Sequence, residues 1–273
     1  MDNYADGRDF SLLHEDRFTF SVLRRIIEGR CSLLLTDHEK LIICFTCDPF
    51  PVWVWTRDAM TDADMEKAFR LLSENGLLDG RHRFNVKHGF AGFLISRAGR
   101  DGMKLSVSEN LLAYECPEPS EPQTKTDGGI RRCTDDDLDE VTAYLDAFTA
   151  EIGHDRRDPE TCRTEAKDYI DSGCMYFWTD ACGNSAATCK YGPAVDGMAT
   201  VNFVYTRPEC RRRHYAQNLV YRVTVMVREA GLTPVLYTNA DYAPSNACYS
   251  KIGYRLRGGL CTVQAEEKNG SLR

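Results

Sequence analysis

The sequence predicts a mixed α/β protein, with a central twisted mixed sheet flanked by helices in the second half of the chain and a second α/β domain before it. Three observations predict it. Of 273 residues, 42% are hydrophobic and 27% charged, the make-up of a globular chain that can fill a core. One stretch, "CPEPSEPQTKTDGG" (116–129), holds three prolines, two glycines and no apolar cluster, which is linker composition. Beyond it the order reads strand, two helices, three strands, helix, strand, helix, strand, which closes around one sheet. The expected boundaries are a divergent α/β domain over 1–115, the linker over 116–129, the main domain over 130–264 and a tail over 265–273.

In the first half, "DRFTFSVLRRIIEGR" sets Phe18, Val22 and Ile26 at helical spacing and stops at Gly29. The runs "CSLLLT", "KLIICFTC" and "PVWVWT" read as strands. A helix fits "TDADMEKAFRLLSENG", with Thr61 or Asp62 as cap and Gly76 as stop. Another fits "HGFAGFLISRAG", and "MKLSVSENLLAYE" reads as a strand. The GxxG inside "GFAG" marks a turn or helix start, because an RNA clamp there needs a basic groove around it. Phe50, Trp53 and Trp55 in "DPFPVWVWT" either fill a core face or line an acceptor pocket.

The second half opens with the strand "IRRCT". The helix "DDDLDEVTAYLDAFTAEIG" gathers Asp135, Asp136 and Asp137 at its positive end. A helix over "PETCRTEAKDYIDSG" starts at Pro159 and stops at Gly173. Three strands follow in series, "CMYFWTD", "SAATCKYG" and "ATVNFVYT", joined by turn residues. Leu219, Val223, Met226 and Ala230 then recur on one helix face until Gly231. "VLYTNA" reads as a strand, "PSNACYSKIG" as a short helix and "YRLRGGLCTVQ" as a last strand pair.

A net charge of −7 argues against nucleic acid or an anionic membrane as the main partner, since both reward positive charge. No apolar run approaches the length of a membrane span. The start "MDNYADGRDF" has neither a basic nor an apolar leader region, so a cytoplasmic location is expected. The twelve cysteines then read as buried small hydrophobes. "CFTC" has the spacing of a metal pair, but no second pair completes four ligands, and on a strand Cys44 and Cys47 point to opposite faces. No metal is expected.

The arginine run in "VYTRPECRRRHYA" (204–216) allows three readings: a nucleic-acid patch, a phosphate cradle or a solvated turn. It sits where a strand passes through a turn into an amphipathic helix. Helix-start N–H groups are unpaired there and the dipole is positive, so phosphate is favoured, and Arg211, Arg212 and Arg213 add potential.

Together with "LYTNADYAPSNACYSKIGY" (236–254), this stretch resembles the GCN5-related N-acetyltransferases, the GNAT superfamily, over about Ile130 to Gly259. The resemblance implies that the main chain of Val204, Tyr205 and Thr206 pairs with the pantetheine arm of acetyl-coenzyme A. It also implies that Arg211, Arg212, Arg213, His214, Tyr215 and Ala216 wrap the pyrophosphate. Family members usually carry glycine where this chain has Arg212 and His214, and glycine tolerates positive φ. The loop is therefore expected to survive only with ordinary φ at both positions.

Tyr249 shares a helix face with Ser245 and Asn246. By the resemblance it is the general acid beside the thioester sulfur, and Asn246 or Asp241 contacts the pantetheine; the residue also reads as a tyrosine packed at a helix–sheet interface. Glu151 and Glu209 are the carboxylates to test as base, each with a structural reading as a helix-end or helix-start charge. Cys210 and Cys248 lack a His–Asp partner for a ping-pong route. The first half lacks a phosphate loop and a counterpart of Tyr249, and resembles the helper domains of the family only in element order. The expected activity is transfer of an acetyl group from acetyl-coenzyme A to a small-molecule or peptide primary amine by direct attack, with a homodimer allowed. The alternative is a catalytically silent module that binds acyl-coenzyme A.

Overall fold

Each strand-like run is a strand in the computed structural model of the protein, which describes residues 1–29, 31–152 and 158–266. The first half holds α1 (Gly7–Glu15), α2 (Ser21–Glu28), β1 (Leu33–Thr36), β2 (Leu41–Phe45), β3 (Val52–Thr56), α3 (Asp62–Glu74), β4 (Phe84–Val86), α4 (His88–Arg100) and β5 (Leu105–Glu115). The second holds β6 (Gly129–Arg132), α5 (Leu138–Glu151), α6 (Pro159–Asp171), β7 (Met175–Thr179), β8 (Ser185–Tyr191), β9 (Met198–Thr206), α7 (Tyr215–Glu229), β10 (Thr233–Asn239), α8 (Ala243–Ile252) and β11 (Arg255–Ala265). The expected end of α5 at Gly153 and the tail from 267 lie outside the described residues.

Two compact units result. One gathers Met1–Tyr114, Tyr237–Ala243 and the chain from Leu256. The other gathers Glu115–Leu236 and Pro244–Arg255.

In the first unit the sheet order is β1-β2-β3-β4-β11-β5. β1, β2 and β3 pair antiparallel, β4 lies parallel to β3, and β11 returns antiparallel to β4. β2 and β3 are apolar at successive positions because both faces are covered. Leu41, Ile43, Val52 and Val54 pack with Leu72 and Leu94 on one face. Ile42, Cys44, Trp53 and Trp55 pack with Leu13, Phe20 and Leu23 on the other. Trp53 and Trp55 are therefore core residues, while Phe50 is exposed. Cys47 lies beyond β2, so the opposite-face argument for the cysteine pair does not apply to it.

Three sequence expectations change here. The first predicted helix is α2, and a helix the sequence reading passed over, α1, precedes it; Asp6 caps α1 reciprocally with Asp9. β4 is a short strand that periodicity passed over. The expected final strand pair is one strand, β11, and Gly258 serves close approach rather than a turn: a Cβ there would meet Thr19 Oγ1 at 2.3 Å.

The second unit carries β10-β9-β8-β7-β6, antiparallel except for the parallel β9–β10 pair. α5 and α6 cover one face with Tyr144, Leu145 and Ile170 against Met175, Phe177, Phe203 and Tyr205. The proline-rich segment at 116–129 is strapped to this unit: Cys116 N–H donates to the Pro234 carbonyl and Ser120 N–H to that of Ile252. The Asn218 amide donates to the Thr124 carbonyl, and Trp178 Nε1 to that of Asp127. No helix among the described residues is long and apolar enough to cross a membrane.

Candidate active site

β9 is the strand on which the site is built. Its ladder with β10 covers Met198–Thr200 alone among the described residues, so Val201–Thr206 present a free backbone edge on that side. On the other side, Thr188 faces Tyr205 and Lys190 faces Asn202. Phe203 and Val204 together therefore oppose the single residue Cys189. This is a β-bulge, and Phe203 takes a φ of 49° to make it. Bulging turns main-chain groups out of the ladder at the point where Val204 was expected to act.

After β9, a 3-10 turn at Pro208–Cys210 leads into the arginine run. Arg212 has a φ of 61° and His214 a φ of 62°. This overturns the expectation that the loop needs ordinary φ there. The backbone keeps the left-handed conformation that glycine would favour, at about 1–2 kcal/mol per non-glycine residue. His214 is the N-cap of α7, yet its side chain makes no cap bond to the helix. First-turn N–H groups of a long helix thus face an uncapped, positive end.

The arginines have different duties. Arg211 donates to the Thr206 carbonyl at 3.1 Å and to Glu151 at 2.5 Å, and lies over the Tyr205 ring. Arg213 lies over the Tyr215 ring with Asp127 at 3.9 Å, and the Tyr215 hydroxyl donates to Asp127. The bond from Tyr215, aided by nearby Arg213, holds the Asp127 carboxyl below its ordinary value. Arg212 is exposed and makes no ion pair or hydrogen bond among the described residues. Ala216 is half-buried in the first turn of α7.

The two carboxylates considered as bases are engaged. Glu151 is the ion-pair partner of Arg211. Glu209 pairs with Arg207 at 2.7 Å. A bond from its own backbone N–H and the charge of Arg207 hold Glu209 below the usual carboxylate range.

Tyr249 is buried in α8 and packs edge-on against Tyr254 at 5.8 Å. The Tyr254 hydroxyl shares a 2.8 Å hydrogen bond with Thr224 of α7, so α8 and α7 are pinned together through this pair. Asn246 lies one turn before Tyr249 and is half-buried. Burial pushes the Cys248 thiol up to about 11, leaving little thiolate at neutral pH. The described residues bring one trio of metal-ligating type together, Asp6, Asp9 and His38, in the other unit. Sequence reasoning missed the Asp127 contact and the bulge, whose signal was the pair of consecutive apolar residues Phe203 and Val204.

The chain has the GCN5-related N-acetyltransferase fold. Residues 195–263 match the family model described as FR47-like protein, which spans β9 to β11. A GNAT-family acetyltransferase from Colwellia psychrerythraea aligns over 97% of this chain and 99% of its own, at 12% identity and a TM-score of 0.59. A GCN5-related N-acetyltransferase from Kribbella flavida aligns over 95% of this chain and 97% of its own, at 12% identity and a TM-score of 0.64. One from Sphaerobacter thermophilus covers 90% of this chain and 84% of its own, at 14% identity and a TM-score of 0.62. No curated protein matches the sequence. The likeness in fold thus extends over both units, while the family-model match is confined to residues 195–263.

Proposed function

We propose that this protein transfers an acetyl group from acetyl-coenzyme A to a primary amine by direct attack. The observation that carries the reading is the loop at 211–214, which holds left-handed φ at two bulky residues in front of an uncapped helix. Strain of that kind persists where the surroundings enforce it and clusters at ligand clamps. Residues of this chain fit the co-substrate: first-turn N–H groups of α7 and Arg212 for the pyrophosphate, and the open edge of Val204, Tyr205 and Thr206 for the pantetheine amides. Asn246 is the side chain assigned to the pantetheine on α8.

Acetyl-coenzyme A supplies an activated thioester. Main-chain N–H at the Phe203–Val204 bulge polarises the carbonyl oxygen as negative charge grows there. The amine nitrogen bonds to the carbonyl carbon and the carbon–sulfur bond breaks. Tyr249 gives its phenolic proton to the departing thiolate, an acid of suitable strength for that base, and the proton that the attacking nitrogen sheds as the amide forms restores the phenol. Glu151 and Glu209, each held by an arginine, are assigned no proton; the acceptor reacts as the free amine. Arg211 and Glu151 instead fix the end of α5 to the phosphate loop.

The competing reading, a silent module that binds acyl-coenzyme A, was encouraged by the two missing glycines; the retained φ values support binding, which both readings require. Two measurements test the proposal. Acetyl-coenzyme A at about a hundred-fold over Kd adds about 2.7 kcal/mol to stability if it binds. Thiol release across an amine panel, with Tyr249→Phe as control, reports turnover; a thermal shift with no release from any amine would leave only the module.

A further inference from the structure

The bulge in β9 has a second effect, on side chains. Residues paired across antiparallel strands point to the same face, so Asn202 and Lys190 share one. That face is the one under α5 and α6, because the Lys190 ammonium stands 3.8 Å from the Tyr169 ring centre of α6. The bulge adds Phe203 to the same face, where its ring meets Phe148 of α5 at 5.2 Å and Tyr169 at 5.8 Å. The Tyr169 hydroxyl donates to Glu165 at the far edge of the ring. A cation, an amide and three aromatic rings are thus gathered beside the residues that polarise the acyl carbonyl.

Within this group the Asn202 Oδ1 atom is buried and has no hydrogen-bond partner among the described residues. An orphaned buried acceptor is unfavourable and is uncommon in folded proteins. It is suited to an amine N–H. The neighbouring ammonium is suited to a carboxylate. Side chains directly opposed on paired strands are separated by about 4.5–5.5 Å at Cβ, a spacing that one small molecule with both groups on adjacent atoms can bridge.

We propose that Asn202 and Lys190 form the acceptor subsite and that the acceptor is a free α-amino acid. Asn202 Oδ1 accepts from its amine, Lys190 Nζ takes its carboxylate, and Phe148, Tyr169 and Phe203 flank its side chain. This rests on the acyl-transfer reading above and specifies its substrate class.

The test compares α-amino acids with their methyl esters, which keep the amine and lose the negative charge, using thiol release by the full chain. Acetyl-coenzyme A binding is measured separately by calorimetry. The expected result is a KM about tenfold or more lower for the amino acid than for its ester. Lys190→Met should raise KM for the amino acid more than for its ester and so remove that preference, with acetyl-coenzyme A affinity measured alongside; the conservative Lys190→Arg should restore it. Asn202→Ala should raise KM for both acceptors. Equal use of ester and acid by the unaltered protein would overturn the inference. So would an equal loss for both in Lys190→Met, or acetyl-coenzyme A binding with turnover of simple amines but of no amino acid. Absence of acetyl-coenzyme A binding would instead fell the acyl-transfer reading itself, and this inference with it.

Discussion

Replacing Arg212 separates backbone strain from ligand contact. Its φ of 61° is left-handed, a region that costs a residue with a Cβ about 1–2 kcal/mol. Arg212→Ala keeps that strain and removes the guanidinium. Arg212→Gly removes both, though glycine adds about 0.5–1 kcal/mol of unfolded-chain freedom. The glycine variant should therefore be more stable than the alanine variant by about 0.5–1 kcal/mol. That is a rise of about 1–4 °C in melting temperature for a chain of this size. Both variants should bind acetyl-coenzyme A about tenfold or more weakly, the loss of one charge-assisted bond to phosphate. Thermal melting without ligand and calorimetric titration read the two effects independently. An alanine variant as stable as the glycine variant would refute the left-handed loop. Undiminished affinity in both would refute phosphate contact by Arg212.

Other consequences are as specific. Tyr249→Phe keeps the packing on Tyr254 and removes the acid, so kcat should fall by about a hundredfold with acetyl-coenzyme A affinity unchanged within about twofold, read by steady-state kinetics and titration. Gly258→Ala should destabilise by about 1–3 kcal/mol through its clash with Thr19 Oγ1, and Thr19→Ala should relieve part of that in a urea melt of the double variant. The His38 ring bonds Asp9 at 2.7 Å and Asp2 at 2.9 Å. Burial lowers its pKa, but bonds to the two carboxylates outweigh that and hold it above the ordinary imidazole value. A raised folded pKa gives stability that is complete below the unfolded imidazole value and is lost as pH rises through the folded one. The urea midpoint should fall over that alkaline-going range, and His38→Gln should flatten the fall; an unchanged slope would remove the imidazolium from the account.

Much of this was legible because patterning and turn chemistry agree along the second half. Alternation marked β7, β8 and β9, the spacing of Leu219, Val223 and Met226 marked α7, and Gly231 marked its end. What escaped depends on partners distant in sequence. α1 buries only Asp9 and Leu13, and Asp9 is buried because Thr36 and His38 bond it from another element. "YRLRGGLCTVQ" read as a strand pair because nothing local reveals Thr19 close to Gly258. At the site, residue types identified the arginine loop, but not that Arg211 and Arg213 hold protein groups while Arg212 bonds none among the described residues. The φ values at Arg212 and His214 were misjudged because local preference was allowed to outweigh the strand and helix that fix both ends of the loop.

The most direct test of the central claim is a calorimetric titration of the full chain with acetyl-coenzyme A. The account predicts saturable binding of one molecule per chain that weakens on Arg212→Ala. No heat of binding at millimolar concentration, or binding indifferent to that substitution and to a ligand lacking the pyrophosphate, would contradict it.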